Sequence, residues 1–200
     1  YRAHAEETGN EIPLFPTVFT KEGTVIGPGE PIVVPGTVKE PDYEVELAFI
    51  MSRPATRVSK QDALDYVAGY MNFNDVSARD IQGRVSQWTV GKSVDTFSAM
   101  GPFIVLTDEV LDPQTLRLTT RIGDKTLQDS TTADMIFSVA DIIAYISQFM
   151  TLEPGTVVTT GTPSGVGARQ NPPRFLQPGD TVTVEIEKLG SLSNPVRAGD

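Results

Sequence analysis

Two glutamates, Glu44 and Glu46, stand two residues apart in the stretch Glu44-Val45-Glu46-Leu47-Ala48-Phe49-Ile50. If that stretch is a strand, both carboxylates leave one face with Cα atoms about 7 Å apart, near enough to share a cation. The plainer reading is a solvated strand face. Against it, Ala48 and Ile50 fall on the same face, and two carboxylates beside apolar neighbours repel unless a cation neutralises them. Asp75, in Asn74-Asp75-Val76-Ser77-Ala78-Arg79-Asp80, is the candidate third ligand. An Asx turn or a cap following a helix is the alternative there. The chain has no cysteine and a single histidine, His4. Disulfides, thiol nucleophiles and Cys-based metal sites are excluded, so a metal would rest on oxygen ligands suited to Mg, Mn or Ca.

Other residues could act beside such a site. Lys92, in Val90-Gly91-Lys92-Ser93, and Arg79 are candidate anion contacts, or simply solvated surface charges. Thr160-Gly161-Thr162-Pro163 leads into a glycine-rich loop, Gly161 to Gly167, whose amides could bind a carboxylate. It fits neither the P-loop nor the dinucleotide pattern, and a plain turn is the alternative. His4 and Glu7 are three apart. On a helix they would be neighbours, and the carboxylate would orient the imidazole as a base; in a frayed terminus they would be unrelated.

The elements that must position these groups are mostly strands. Val45, Leu47 and Phe49 alternate with the glutamate face over residues 44–50. Segments 101–106, 116–122, 126–130, 156–160 and 181–187 also read as strands, with a short one at 32–34. Gly123-Asp124 suits a two-residue hairpin turn. Ser59 with Asp62 predicts a helix start before Ala63, Leu64, Val67 and Ala68. A second helix is predicted from Ser138, with Ile142, Ile143, Ile146, Phe149 and Met150 as its apolar stripe and Pro154-Gly155 ending it. Strands outnumber helices and do not alternate with them, so the reading is a strand-rich α+β domain rather than a doubly wound one.

The 200 residues, 39% hydrophobic, suit one globular domain. No apolar run approaches the roughly 18 residues a membrane span needs. A net charge of −10 disfavours a nucleic-acid surface, and an anionic ligand would need a local cluster of Lys and Arg.

Together the motifs resemble the fumarylacetoacetate hydrolase superfamily. They are Tyr1-Arg2-Ala3-His4-Ala5-Glu6-Glu7, Phe19-Thr20-Lys21, Asp42-Tyr43-Glu44-Val45-Glu46-Leu47, residues 74–82, Gly91-Lys92-Ser93-Val94-Asp95-Thr96-Phe97, Gly101-Pro102 and residues 160–167. They run in family order along nearly the whole chain. The resemblance implies a mixed β-roll with flanking helices across residues 1–200, in a cytoplasmic homodimer. It implies Mg2+ or Mn2+ on Glu44, Glu46 and Asp75. His4 and Glu7 would activate water from a lid, and Lys92 would add positive charge. Lys21, Arg79, Gln82, Gly161 and Thr162 would contact substrate. Family members carry a further N-terminal segment and an Asn before the first Tyr, so such a segment is expected to precede Tyr1.

The substrate implied is a small 2-oxo acid, in the first instance an acylpyruvate. Hydrolysis would break its C3–C4 bond through a pyruvate enolate that the cation stabilises. Oxaloacetate decarboxylation and isomerisation or hydration of a 2-oxo-enoate are alternatives on the same residues. A metal- or acid-binding module without turnover is the non-enzyme alternative.

Overall fold

The computed structural model describes all 200 residues, and it is built on two five-stranded sheets. Alternation of apolar residues explains the first. Strand β4 (Val45–Met51) sends Val45, Leu47 and Phe49 into the main core and Ala48 to the opposite face. It pairs antiparallel with β5 (Val67–Asp75), which pairs antiparallel with β7 (Ser98–Leu106). Two short strands complete the sheet: β1 (Val25–Ile26) runs parallel to β7, and β10 (Val157–Thr159) lies antiparallel to β4. The order is β1-β7-β5-β4-β10.

The second sheet has the order β2-β12-β11-β8-β9. Its strands are β2 (Ile32–Val34), β12 (Gly190–Ala198), β11 (Thr181–Ile186), β8 (Arg117–Ile122) and β9 (Lys125–Thr131). Gly123-Asp124 forms the expected turn between β8 and β9, and β12 pairs parallel with β2. The core joins both sheets: Leu47, Phe49 and Tyr70 from the first, Leu118, Val184, Leu192 and Val196 from the second. A two-stranded ladder of β3 (Pro41–Asp42) and β6 (Ser77–Ala78) lies beside the first sheet. The strand-rich mixed β-roll is therefore borne out.

Four short helices flank the sheets: α1 (Arg2–Thr8), α2 (Arg79–Gln82), α3 (Thr89–Lys92) and α4 (Val139–Ile146). Ser138 starts α4 with a capping box to Asp141, and Val139, Ile142, Ile143 and Ile146 are buried. The helix stops at Ile146, earlier than Pro154-Gly155; Phe149 and Met150 lie beyond it, exposed.

The helix expected after Ser59 is not there. Ser59 and Asp62 do bond each other, but only one 3-10 turn, Ala63–Tyr66, follows. The chain then enters β5 at Val67. Ladder hydrogen bonds on both edges of β5, and burial of Val67 and Tyr70, outweigh the helical spacing of four apolar residues.

Candidate metal centre

The register of β4 on β5 assembles the acidic group. The Asp75 N–H donates to the Glu44 carbonyl at 2.9 Å, placing Asp75 beside Glu44 at the end of β5. Glu44, Glu46 and Asp75 each bring a carboxylate oxygen within 4.8 Å of the other two, and all three residues are buried. Asp75 ends a strand, so neither a helix nor an Asx cap explains it. The donors are hard anionic oxygens, the set that divalent Mg or Mn takes.

Three cationic side chains reach this group, all on one flank. Lys92 Nζ donates to Glu44 Oε2 at 2.7 Å and to Asp75 Oδ2 at 2.8 Å. Arg79 holds Glu44 Oε1 at 2.5 Å and Asp42 Oδ2 at 2.9 Å. Lys21 Nζ lies 2.7 Å from Asp75 Oδ1 as an ion pair outside hydrogen-bond geometry, and donates to the carbonyls of Val76 and Lys92. Lys92 is only 3% exposed, so it is not a surface charge. It reaches the site because Gly91 lets α3 press on α2; a Cβ there would lie 2.7 Å from the Gln82 backbone.

Glu46 lacks such partners. Its one hydrogen bond comes from the Gly161 amide, at 2.8 Å to Oε2. Burial, with Asp75 and Glu44 close by, pushes its carboxyl up to about 8. Burial would raise Glu44 as well, but Lys92 and Arg79 hold it well below the usual carboxylate range. Burial would lower Lys92, yet Asp75 and Glu44 keep its ammonium raised. Without a cation that carboxyl tends to keep a proton, whose place a bound ion would take, so the residues fit a divalent ion.

The side-chain pair expected on α1 also forms. His4 Nδ1 meets Glu7 Oε1 at 2.7 Å, and the Gly165 amide donates to Glu7 Oε2 at 3.0 Å. Glu7 thus anchors the helix to the glycine-rich loop and leaves His4 Nε2 as the free acceptor. Gly165, at φ 97°, approaches the Leu127 carbonyl so closely that any Cβ would collide with it. Gln82 accepts from Arg79 at 3.0 Å and touches no carboxylate. Thr162 Oγ1 donates to the Val45 carbonyl at 3.0 Å. All the residues singled out in the sequence, His4, Glu7, Lys21, Glu44, Glu46, Asp75, Arg79, Gln82, Lys92, Gly161 and Thr162, are thus tied to one region.

Sequence reasoning missed three buried polar residues. Asp42 accepts from Arg79 and from the amides of Gly167 at 2.6 Å and Ala168 at 3.1 Å. Asn74 accepts from the Glu44 amide at 3.0 Å. Gln128 on β9 joins β4 to the loop through Val45 and Thr162. Asn74 stands out as a polar residue in the largely apolar β5, whereas Asp42 and Gln128 sit in strands whose residue types carry no such signal.

A model of the family described as fumarylacetoacetate (FAA) hydrolase C-terminal matches residues 1–197. The chain belongs to that family. It is 44% identical over 200 residues to the oxaloacetate tautomerase YisK of Bacillus subtilis, covering 98% of this chain and 66% of that protein. It is also 44% identical to a fumarylacetoacetate hydrolase domain-containing protein 2 homolog of Dictyostelium discoideum, covering 98% and 68%. The chain thus spans about two thirds of the length of these curated relatives. Among solved structures, an HpcE-type protein of Mycobacterium smegmatis superposes with a TM-score of 0.95 at 39% identity, covering all of this chain and 72% of that one. A 5-carboxymethyl-2-hydroxymuconate delta-isomerase of the same organism gives 0.88 at 38%, covering all of this chain and 76% of that one. No helix of the chain is long and apolar enough to cross a membrane.

Proposed function

We propose that this chain interconverts the keto and enol forms of a small dianionic 2-oxo acid of the oxaloacetate type, with Mg2+ or Mn2+ held by Glu44, Glu46 and Asp75. The observation that carries the reading is the seated His4–Glu7 pair beside a buried acidic group whose Glu46 corner has no cationic partner. The kinship with an oxaloacetate tautomerase agrees with it. When bound, the ion supplies Lewis-acid stabilisation of negative charge developing on the substrate's 2-oxygen.

The protein's own residues do the rest. His4 Nε2, set by Glu7 on Nδ1, takes a proton from C3 and releases it to solvent; the C–H electrons form the C2–C3 double bond, the carbonyl π electrons move onto the 2-oxygen, and that oxygen takes a proton from solvent to give the enol. The buried ammonium of Lys92 and the guanidinium of Arg79 favour that negative charge in a region of low dielectric. Arg79 and Gln82 recognise the substrate carboxylate, with Gly161 and Thr162 lining the opposite side. Lys21 acts through Asp75, as a positioning residue.

Acylpyruvate hydrolysis is the second reading, favoured by the same histidine. There His4 would take a proton from water, the oxygen would add to the 4-carbonyl, and the C3–C4 bond would break to give a carboxylic acid and the pyruvate enolate. The protein would work as a homodimer, to which the exposed side chains of Phe103 and Leu106 on β7 offer an apolar surface; light scattering in solution tests this. The decisive test of function follows oxaloacetate and an acylpyruvate by NMR in D2O with Mg2+ present. Accelerated exchange at C3 without cleavage is expected. Cleavage of the acylpyruvate without acceleration of oxaloacetate exchange would replace the first reading with the second.

A further inference from the structure

Gln128 is 1% exposed and uses its whole amide. Its Oε1 accepts from the Val45 N–H at 3.1 Å and the Thr120 hydroxyl at 2.7 Å. Its Nε2 donates to Thr162 Oγ1 at 2.8 Å and the Pro163 carbonyl at 3.0 Å. Two of these partners admit one orientation only: a backbone N–H cannot face Nε2, and a carbonyl cannot face Oε1. The amide therefore presents a donor, never an acceptor, to Thr162.

The consequence falls on the Thr162 hydroxyl. Its proton cannot point at Gln128, and it is engaged by the Val45 carbonyl at 3.0 Å. One of its two lone pairs is taken by Gln128 Nε2. What remains for a ligand is a single lone pair, an acceptor and not a donor.

We infer that Thr162 recognises a protonated oxygen on the ligand, the hydroxyl of an enol or a 2-hydroxy acid, and that Gln128 is the positioning residue that fixes this polarity. The inference rests on the reading, given above, that Thr162 lines the ligand site. A ketone or carboxylate oxygen at the same place would meet the Thr162 oxygen lone pair to lone pair. The hydroxyl would thus favour the enol over the keto form of a 2-oxo acid, a discrimination that a cation alone does not supply.

Calorimetry with Mg2+ tests this using two probes: malate, whose 2-hydroxyl donates, and oxalate, which has no O–H. In Thr162→Val, malate should bind about tenfold more weakly, the loss of one hydrogen bond, while oxalate changes less than twofold. Thr162→Ser should restore malate. Gln128→Met should reduce the malate preference in the same direction; if that variant does not fold, the Thr162 pair decides alone. Equal loss of both probes in Thr162→Val, or loss of neither, overturns the inference and leaves the proposed function standing. Failure of wild-type protein to bind either probe with Mg2+ removes the functional reading itself, and this inference with it.

Discussion

On one flank of the acidic group, Glu44 and Asp75 are gripped by Lys92, Arg79 and Lys21. On the other, Glu46 receives a single amide from Gly161. These are like residues within one site, and both glutamates are buried. The difference separates two tasks. The cationic flank compensates its own charge as an ion network. The Glu46 flank has no cationic partner, so its carboxyl ionises only when a cation takes the place of its proton. A site paired on both flanks would have little affinity left for an ion, and one paired on neither would repel itself apart.

The largest effect expected from this contrast is on turnover. EDTA should abolish exchange at C3 of oxaloacetate, and Mg2+ or Mn2+ should restore it; full activity in verified metal-free protein would break the comparison at its root. Next come the two charge deletions on opposite flanks. Lys92→Met leaves Glu44 and Asp75 buried with less compensation, and should lower stability by about 3–5 kcal/mol in denaturant unfolding. Glu46→Gln should cost no stability, yet weaken Mn2+ binding by at least about 10- to 100-fold, read by paramagnetic relaxation of water. Equal destabilisation by the two variants would show that the flanks do not differ.

Removing the base separates proton transfer from metal binding. His4→Ala should reduce C3 exchange by about 100- to 10,000-fold, the usual contribution of a general base, with Mn2+ affinity unchanged. A matching loss of Mn2+ binding would mean that the histidine serves the metal instead.

The most gradual effect is a pH slope. The Glu46 carboxyl is raised in the folded protein, to about 8, above its ordinary 4.5. The stability tied to its protonated form is fully present below pH 4.5 and is lost as pH rises through about 8. Metal-free protein should therefore melt at progressively lower temperature across that window. Added Mg2+ should flatten the slope, because the cation takes over the role of the proton. Glu46→Gln should flatten it without metal, and a slope that survives in that variant would assign it to another group.

Much of this site was legible in the sequence because its logic is periodic. A two-residue spacing on a strand needs only the alternation of Val45, Leu47 and Phe49 to be seen, and a three-residue spacing on a helix places His4 over Glu7. The capping box at Ser138 was equally local. What escaped was decided at long range. Val67 to Asp75 became a strand because β4 and β7 flank it, information that lies far away in the chain. Strand β12 was missed since Pro195 and four polar residues interrupt its pattern; Asn194 is nonetheless buried, donating to the carbonyls of Gly27 and Glu30. Gln128 and Asp42 look ordinary in sequence, and only the folded chain shows which backbone groups they serve.

The parallel pairing of β2 with β12 carries a consequence for biosynthesis. Ile32 lies against Val196, so one edge of the second sheet joins residues about 160 positions apart. Contacts this distant make folding slow. On a ribosome, the early strand would wait, unpaired, until nearly the whole of this stretch had emerged. During that interval the apolar side chains of Ile32 and Val34, both sealed in the finished protein, would be open to chaperones and to neighbouring nascent chains.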